Sequence, residues 1–364
     1  MSTYIRRHVG QLVVAGFDGP TIPDDLRRVA RDFDLGGVIL FARNVEEPAQ
    51  VAELSHDAQG LASELPLWVS IDQEGGRVAR LREGFTKWPP MRALGNNGTV
   101  ELTRRFAVAL AREMRAVGIS LDYVPVLDVG TNPGNPAIGD RALSADPELV
   151  ATLGAEIVTL VQTAGVAACG KHFPGHGDTS TDSHHELPIV EHPLDRLRAV
   201  ELAPFRAAIR AGVAMLMTAH VLYPAVDEES PGTLSRRIVQ ELLREDLGFT
   251  GVIVTDDMSM EAIANERSVE TATVQALTAG CDLALLCTPD ADSQVATLEA
   301  IIRAVEDGTL LVARVEDALK RGRRAKERFL AAPAEWRPPS ARELRRDLGS
   351  SEHEAIADEI RRFA

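Results

Sequence analysis

The chain repeats one unit along most of its length: a short apolar run rich in Val, Ile and Leu, followed by a segment with the spacing of an amphipathic helix. Buried strands that alternate with helices are typical of parallel pairing with right-handed crossovers. Eight such units favour a closed (β/α)8 TIM-type barrel, an α/β fold, over an open sheet. The predicted strands are 11–15, 37–41, 67–71, 121–124, 165–168, 214–218, 252–255 and 283–286. The helical segments between them include 101–117, 148–163, 194–211, 236–245 and 269–279.

The length of 364 residues suits one large barrel, and no Gly/Ser-rich linker divides the chain. The first shift in composition comes at 331–340, where three prolines interrupt a helical run. We therefore predict a single catalytic barrel domain over residues 1–335. Residues 336–364 are charged and helix-like, and we expect them to form a C-terminal helical tail packed on or beside the barrel.

The charge balance argues against whole classes of partner. Asp and Glu total 54 against 39 Lys and Arg, which gives a formal net charge of −15. Binding to a nucleic-acid backbone or to an anionic membrane surface needs a basic face, so we expect neither partner. Aromatic residues are only 4% of the chain, which disfavours a module that binds by stacking many rings. We expect a monomer that acts on a small molecule.

Two further features bear on location. No apolar run approaches the roughly 20 residues of a membrane span, and no signal core follows the N-terminal arginines. The three cysteines, Cys169, Cys281 and Cys287, are an odd number and lie in or beside apolar runs. They are typical of buried free thiols in a reducing compartment, so we predict a cytoplasmic protein.

The nucleotide-binding motifs of α/β proteins are missing from the sequence. No G-x-G-x-x-G follows the first predicted strand, and no G-x-x-x-x-G-K-[ST] loop occurs. We expect no cofactor.

In a parallel barrel the reactive groups lie on the loops that follow the strands. Several polar residues occupy those positions here. They are Asp72, Glu74 and Arg77 after the third predicted strand, Asp128 after the fourth, 171–186 after the fifth, His220 after the sixth, and Asp256 with Asp257 after the seventh.

The segment 171–188 is the richest in such residues, since five of the nine histidines fall between His172 and His192. One interpretation is a metal-dependent hydrolase that uses His172, His176 and Asp178, because these are suitable zinc ligands. Their spacing matches no short zinc motif such as H-E-x-x-H, so we predict no metal.

A second interpretation of the same segment is acid–base chemistry. Asp182 and His184 are two residues apart, so in an extended loop their side chains point to the same side. A carboxylate placed there holds one imidazole nitrogen, sets the tautomer and raises the basicity of the ring. Histidine, with an ordinary pKa of about 6.5, then gives and takes a proton near neutral pH.

The segment Val252-Ile-Val-Thr-Asp256-Asp257-Met-Ser259 brings Asp256 to the end of a strand, facing the barrel mouth. A carboxylate at that position can attack an electrophilic carbon. Asp257 or Ser259 would cap the helix that follows. An Asp nucleophile with a separate proton donor indicates retaining glycoside hydrolysis, although that chemistry normally uses two carboxylates rather than a carboxylate and a histidine.

Four blocks of the sequence together resemble one known family. Lys171-His-Phe-Pro-Gly-His-Gly-Asp-Thr followed by Asp182-Ser-His184 is similar to the fingerprint of glycoside hydrolase family 3 β-N-acetylglucosaminidases. Ile71-Asp-Gln-Glu-Gly-Gly-Arg-Val, Ile138-Gly-Asp-Arg141 and Thr255-Asp-Asp-Met-Ser-Met resemble that family's other blocks and occur in its order.

The resemblance implies a cytoplasmic enzyme of peptidoglycan recycling that removes N-acetylglucosamine from 1,6-anhydro-N-acetylmuramic acid, free or carrying a stem peptide. It implies Asp256 as nucleophile and His184 as proton donor and acceptor, oriented by Asp182. The family's sugar-binding positions match Asp72, Arg80, Arg141, Lys171 and His172. The length matches the family's single-domain branch, in which the Asp–His pair lies on a loop of the barrel itself.

Three alternatives stay open at this point. A neutral histidine base would let phosphate approach the intermediate, so a β-glycoside phosphorylase on the same fold is one. The metal-dependent barrel hydrolase is the second, and a carbohydrate-binding barrel without catalysis is the third. Asp182, His184 and Asp256 argue against the last, since a binding module gains little from an ionised nucleophile.

Overall fold

The computed structural model describes residues 3–62, 64–183, 186–330 and 336–364. Its strands pair in parallel and in chain order, and the last pairs with the first, so the sheet is a closed eight-stranded barrel. The strands are β1 (Val13–Ala15), β2 (Gly37–Leu40), β3 (Trp68–Ile71), β4 (Leu121–Asp122), β5 (Ala167–Phe173), β6 (Met215–Thr218), β7 (Val252–Asp257) and β8 (Leu283–Leu286). The predicted (β/α)8 barrel is confirmed.

Helices surround the barrel, and their starts follow capping rules. Pro147 opens the helix Pro147–Thr163 behind Asp146, whose side chain accepts a hydrogen bond from Glu148 N, and Ser268 caps the helix Val269–Ala279 through Thr271 N. The described helices are α1 (Thr3–His8), α2 (Asp24–Phe33), α3 (Pro48–Gln59), α4 (Met91–Asn97), α5 (Val100–Ala116), α6 (Pro147–Thr163), α7 (Leu194–Ala199), α8 (Leu202–Arg210), α9 (Glu261–Ala264), α10 (Val269–Ala279), α11 (Ala291–Glu306), α12 (Val312–Phe329), α13 (Ala341–Asp347) and α14 (Ser351–Arg361), with a π-helical segment Arg237–Asp246 before β7.

Two predicted elements differ most from the observed bounds, and the others shift by at most two residues; β7, for example, extends to Asp257 and so includes Asp256 and Asp257. The helix predicted over 194–211 is two helices, α7 and α8, with the break at Val200 and Glu201. Pro204 has no N–H to bond the Val200 carbonyl, and in a continuous helix its ring would clash with that carbonyl. Glu201, beside the break, is buried and accepts from Arg196 Nη1 at 2.7 Å. The strand predicted over 165–168 extends to Phe173, so Lys171 and His172 lie within β5 and not in the loop after it. Polar side chains such as these usually indicate a loop. Here they lie within a buried strand because buried carboxylates of the barrel pair with them.

The barrel interior is filled by alternate residues of the strands. They form one cluster of buried side chains: Val14, Ile39, Trp68, Leu121, Tyr123, Ala167, Cys169, Met215, Met217, Val252, Val254, Leu283 and Leu285. Leu330, directly after α12, packs into the same cluster, and the Phe329 ring lies 6.5 Å from that of Trp68. The larger core lies between the outer faces of the strands and the helices.

The C-terminal helices α13 and α14 pack on the outside of the barrel against α5. Glu113 of α5 is buried and accepts hydrogen bonds from Thr86 Oγ1 at 2.6 Å, Gly349 N at 2.9 Å and His353 Nδ1 at 3.0 Å. Arg105 of the same helix pairs with Glu359 at 2.7 Å. The division between barrel and tail at residue 335 stays a prediction, since 331–335 lie outside the described residues.

No helix among the residues described has the length and apolar character needed to cross a bilayer. All three cysteines are free: Cys169 and Cys281 are buried, whereas Cys287 is partly exposed because it borders the cavity described next.

Candidate active site

A cavity of about 350 Å³ opens where the carboxyl ends of the strands meet, the position at which ligands bind in parallel barrels. Seven of the eight residues assigned from the sequence line it: Asp72, Arg80, Arg141, Lys171, His172, Asp182 and Asp256. The eighth, His184, lies outside the described residues.

The alternation of the strands explains why these side chains meet. Trp68 faces the interior of β3, Cys169 that of β5 and Val254 that of β7. Continuing the period of two from each leads to Asp72, Lys171 and Asp256 at the upper end of the barrel. Polar residues that follow apolar ones in the same register therefore form the floor of the cavity.

Four charged groups form one buried network in this floor. Lys171 Nζ bonds to Asp72 Oδ1 and lies 2.6 Å from Glu74 Oε1. Arg141 makes a two-pronged pair with Glu74, through Nε at 2.9 Å and Nη2 at 2.8 Å. Burial alone would raise the pKa of Glu74 and lower those of Lys171 and Arg141, but the mutual attraction of these charges reverses each shift. All three are charged at neutral pH.

This network fixes a surface of hydrogen-bond donors and acceptors on the cavity floor. Glu74 is 1% exposed, so it orients Lys171 and Arg141 and leaves them, with Asp72, to meet a ligand. Sequence reasoning placed Glu74 on the rim without assigning it a role. The available signal was its spacing of two residues from Asp72.

His172 is held by a second buried carboxylate. Asp128, fully buried, accepts from His172 Nδ1 at 2.7 Å and from the backbone N of His172 and His176 at 3.2 and 2.6 Å. Burial alone would raise the pKa of Asp128, but the two nearby histidines and the hydrogen bonds lower it below its ordinary value. Nδ1 is thus the donor, and Nε2 faces Arg141 at 3.5 Å on the cavity side.

Arg80 and Arg77 take different places. Arg80 Nη2 lies 3.7 Å from Asp72 Oδ2, and its guanidinium stacks over the Phe41 ring at 5.4 Å. Among the described residues its Nε has no hydrogen-bond partner. Arg77, half-exposed at the rim, donates to the Ala137 carbonyl at 2.6 Å.

Asp256 lies at the end of β7 and borders the cavity. Its Oδ1 accepts from Asp257 N at 2.8 Å. Burial alone would raise the pKa of this carboxyl, but His172 and His220 nearby, with that hydrogen bond, hold the pKa below its ordinary value. Asp256 is therefore ionised over the whole neutral and mildly acidic range.

Hydrogen bonds at the neighbouring Asp257 hold the end of β7 and the turn after it. His220 donates from Nε2 to the Asp257 carbonyl at 2.9 Å, and its Nδ1 lies 2.8 Å from Thr233 Oγ1. Asp257 accepts from Ser259 N and Oγ, at 3.1 and 2.7 Å. The predicted helix cap at Asp257 or Ser259 is wrong, because α9 begins after Met260 and these two residues close the turn before it.

The proposed metal ligands have other partners. His172 is bound to Asp128, and Asp178 accepts from Thr131 Oγ1 at 2.6 Å and contacts His192 Nε2 at 2.6 Å. His176 Nδ1 and Nε2 contact two hydroxyls, at 2.8 and 3.1 Å. Within the described ranges no three His, Cys, Asp or Glu side chains are grouped to hold a metal ion.

An ionised carboxylate and a set of hydrogen-bond donors and acceptors share one cavity at the mouth of the barrel, which suits carbohydrate chemistry, and comparisons with known proteins give the family. Residues 4–324 match the model of the glycosyl hydrolase family 3 N-terminal domain. A β-hexosaminidase of Thiobacillus denitrificans is 43% identical over 275 residues, which are 74% of this chain and 76% of the relative.

Solved structures similar to this chain belong to the same family. A glycoside hydrolase family 3 β-N-acetylglucosaminidase from Paenibacillus sp. is 45% identical with a TM-score of 0.93 and matches 99% of this chain and 68% of its own. NagZ from Neisseria gonorrhoeae in complex with N-trifluoroacetyl-D-glucosamine is 31% identical with a TM-score of 0.78, covering 97% of both chains.

The chain belongs to glycosyl hydrolase family 3. It is a glycoside hydrolase of the β-hexosaminidase type, and its substrate is a small carbohydrate.

Proposed function

We propose that the protein is a retaining β-N-acetylglucosaminidase that removes a non-reducing terminal N-acetylglucosamine through a covalent glycosyl–aspartate intermediate. The observation that carries the proposal is that Asp256, ionised, shares one cavity with Asp182 and with the Asp72–Lys171–Arg141 surface. Asp182 and His184 supply the proton transfers.

In the first step, Asp256 attacks the anomeric carbon as the bond to the leaving oxygen breaks. His184 gives its proton to that oxygen, so the aglycone departs as an alcohol. In the second step, His184 takes a proton from water, and the resulting hydroxide displaces Asp256 from the anomeric carbon. Two displacements at one carbon return the sugar with its original configuration.

The floor network suits the hydroxyls of the sugar ring. Asp72 accepts from hydroxyl groups, while Lys171, Arg80 and Arg141 donate to them. His172, held by Asp128, presents Nε2 to the cavity as an acceptor. Lys171 and Arg141 are locked by Glu74, so little side-chain entropy is lost when the sugar binds.

For the natural substrate we propose N-acetylglucosamine linked to 1,6-anhydro-N-acetylmuramic acid, with or without stem peptide, and a role in peptidoglycan recycling. The sequence blocks described above support this, as does the solved NagZ complex, whose ligand is an analogue of N-acetylglucosamine. We also propose a cytoplasmic monomer. Three free thiols, one of them bordering the active cavity, suit a reducing compartment.

The decisive test is release of nitrophenol from 4-nitrophenyl N-acetyl-β-glucosaminide in the presence of a chelator, with the β-glucoside as control. We expect turnover of the acetamido sugar at least about 100-fold above the glucoside, because a site that binds a substrate polar group rejects analogues lacking it. Nuclear magnetic resonance of the first product should show the β-anomer.

Other results would point elsewhere. Loss of turnover on chelation would favour the metal hydrolase, and sugar 1-phosphate formed in phosphate buffer would favour a phosphorylase. Binding of N-acetylglucosamine without turnover of either glycoside would favour a binding barrel.

The role of His184 is tested by leaving-group dependence. We expect His184→Ala to lower kcat/KM on a disaccharide by about 10²- to 10⁴-fold, the range of general acid catalysis. The loss on the nitrophenyl glycoside should be far smaller, because nitrophenolate leaves with little help from a proton. Equal losses on both substrates would contradict the assignment of His184 as the acid.

A further inference from the structure

A buried histidine contacts the loop residue Ser183 and takes no part in the steps above. His176 is 2% exposed, and its Nε2 lies 3.1 Å from Ser183 Oγ. Ser183, also 2% exposed, stands in the chain between Asp182 and His184. The ring of one histidine is therefore bonded to the residue that joins the two members of the pair.

We propose that His176 is a positioning residue for proton transfer, and that its hydrogen bond to Ser183 sets the place of Asp182 and His184 at the cavity. The inference rests on the proposed function, because it assigns the proton transfers to that pair. His176 itself touches no substrate in this scheme and acts through Ser183 alone.

The backbone of His176 is held by two hydrogen bonds to buried side chains. Asp128 accepts from His176 N at 2.6 Å, and Asn135 Nδ2 donates to the His176 carbonyl at 2.8 Å. The next residue, Gly177, lies so close to the β4 loop that an added Cβ would be 1.9 Å from the Val129 carbonyl oxygen. The imidazole is therefore carried on a rigid base.

The hydrogen bonds also assign the tautomer of the ring. Thr179 Oγ1 donates to the His176 carbonyl at 3.1 Å, so its contact of 2.8 Å with Nδ1 needs a proton on Nδ1. Nε2 is then the acceptor for the Ser183 hydroxyl. Burial lowers the pKa of His176 to about 4, so the ring is neutral and keeps this lone pair at neutral pH.

Ser183 is held from a second side as well. Its carbonyl accepts from Ala262 N of α9 at 3.3 Å, in the segment that follows Asp256. The two bonds place Ser183 between the loop after β5 and the loop after β7. A proton donor must lie within hydrogen-bond reach of the leaving oxygen, so a shift of about 1 Å at this residue reduces proton transfer steeply.

The test is Ser183→Ala, a small change that removes the hydroxyl and leaves the backbone intact. We expect kcat/KM for a β-N-acetylglucosaminide with an alkyl or sugar leaving group to fall by about 10- to 100-fold, the cost of a misplaced catalytic group. For the nitrophenyl glycoside the fall should be at most about 3-fold, because its leaving group needs little general acid catalysis. His176→Gln keeps a polar side chain near Ser183, so its kcat/KM on the sugar leaving group should lie between those of Ser183→Ala and the wild type.

The matched control is Thr233→Val, which removes a hydroxyl bonded to another buried histidine near the site, His220. His220 contacts the strand end that carries Asp256, so this variant should lower kcat/KM on both substrates by the same factor. If the substitutions only made the site less rigid, every variant would lower kcat/KM on both substrates by the same factor.

A double variant decides whether Ser183 acts through His184. If it does, adding Ser183→Ala to His184→Ala costs less than about 2-fold more on the sugar leaving group. A uniform loss for Ser183→Ala, while His184→Ala keeps its leaving-group dependence, overturns the positioning role and leaves the proposed function standing. A uniform loss for His184→Ala overturns the acid–base pair, and the positioning role with it.

Discussion

Replacing Asp256 by Ala is expected to lower kcat on the nitrophenyl glycoside by at least about 10⁴-fold, the scale of losing a covalent nucleophile. An activated leaving group does not rescue this variant, because no carboxylate remains to attack the anomeric carbon. The expected result thus differs in kind from that of His184→Ala, whose loss depends on the leaving group. Steady-state kinetics on both glycosides distinguish the two.

Azide supplies a positive readout for the same variant. It is small enough to enter the space of the missing carboxylate, attack the anomeric carbon and displace nitrophenolate. The product should be the α-glycosyl azide, since only one inversion takes place. A β-azide, or no azide product with an intact fold, would contradict the assignment of Asp256.

Asp257 is the matched control, being the same residue type one position along the chain. Its carboxylate accepts from Ser259 and Cys287 and holds the turn after β7. Asp257→Asn weakens these bonds, so we expect a loss in kcat of at most about 10-fold, the size of about one hydrogen bond. Similar losses for Asp256→Ala and Asp257→Asn would indicate that the strand end, and not one carboxylate, is what matters.

The barrel could be predicted because its strands are apolar where they cross the core. All eight predicted strands overlap the observed ones, and the register of β3 and β7 leads directly to Asp72 and Asp256. The upper part of β5 was missed because Lys171 and His172 resemble loop residues. The parallel pairing of β3, β4 and β5 brings Glu74 and Asp128 to them, across gaps of 97 and 44 residues.

The same limit applies to roles within the site. Positions after the predicted strands pointed to several of the cavity-lining charges, and the family resemblance added Arg80 and Arg141. Neither showed which carboxylate orients which cation. Glu74 and Asp128 are both fully buried and both bind cavity residues, yet the sequence showed only that each follows a predicted strand, with no partner assigned. The partner of a buried charge is decided by the folded barrel, so local patterns carry little information about it.

Glu74→Gln is expected to produce the largest loss of stability, because it leaves Lys171 and Arg141 buried without their shared counter-charge. Removing one member of a buried ionic network costs about 3–5 kcal/mol, since the remaining charge is uncompensated. The amide also turns a donor toward one of the cations that Glu74 now binds at 2.6–2.9 Å. Urea unfolding at pH 7 measures the loss.

The pH dependence of this loss has a definite sign. The folded protein holds the pKa of Glu74 far below the ordinary value of 4.5. Its contribution to the free energy of unfolding is therefore complete above about pH 5 and is lost as the pH falls below 4.5, where the unfolded chain takes up a proton first. The difference in the free energy of unfolding between wild type and Glu74→Gln should be largest at pH 7 and should decrease towards pH 4.

Glu83→Gln is the control, since Glu83 is 84% exposed and pairs with Lys87 on the surface. It should leave the urea midpoint unchanged at every pH. If Glu74→Gln also leaves the urea midpoint unchanged, or if its difference in unfolding free energy from the wild type does not decrease in acid, Glu74 does not stabilise buried Lys171 and Arg141. If this difference decreases as expected and the KM for the acetamido glycoside also rises, one buried carboxylate both stabilises the barrel and orders the sugar-binding cations.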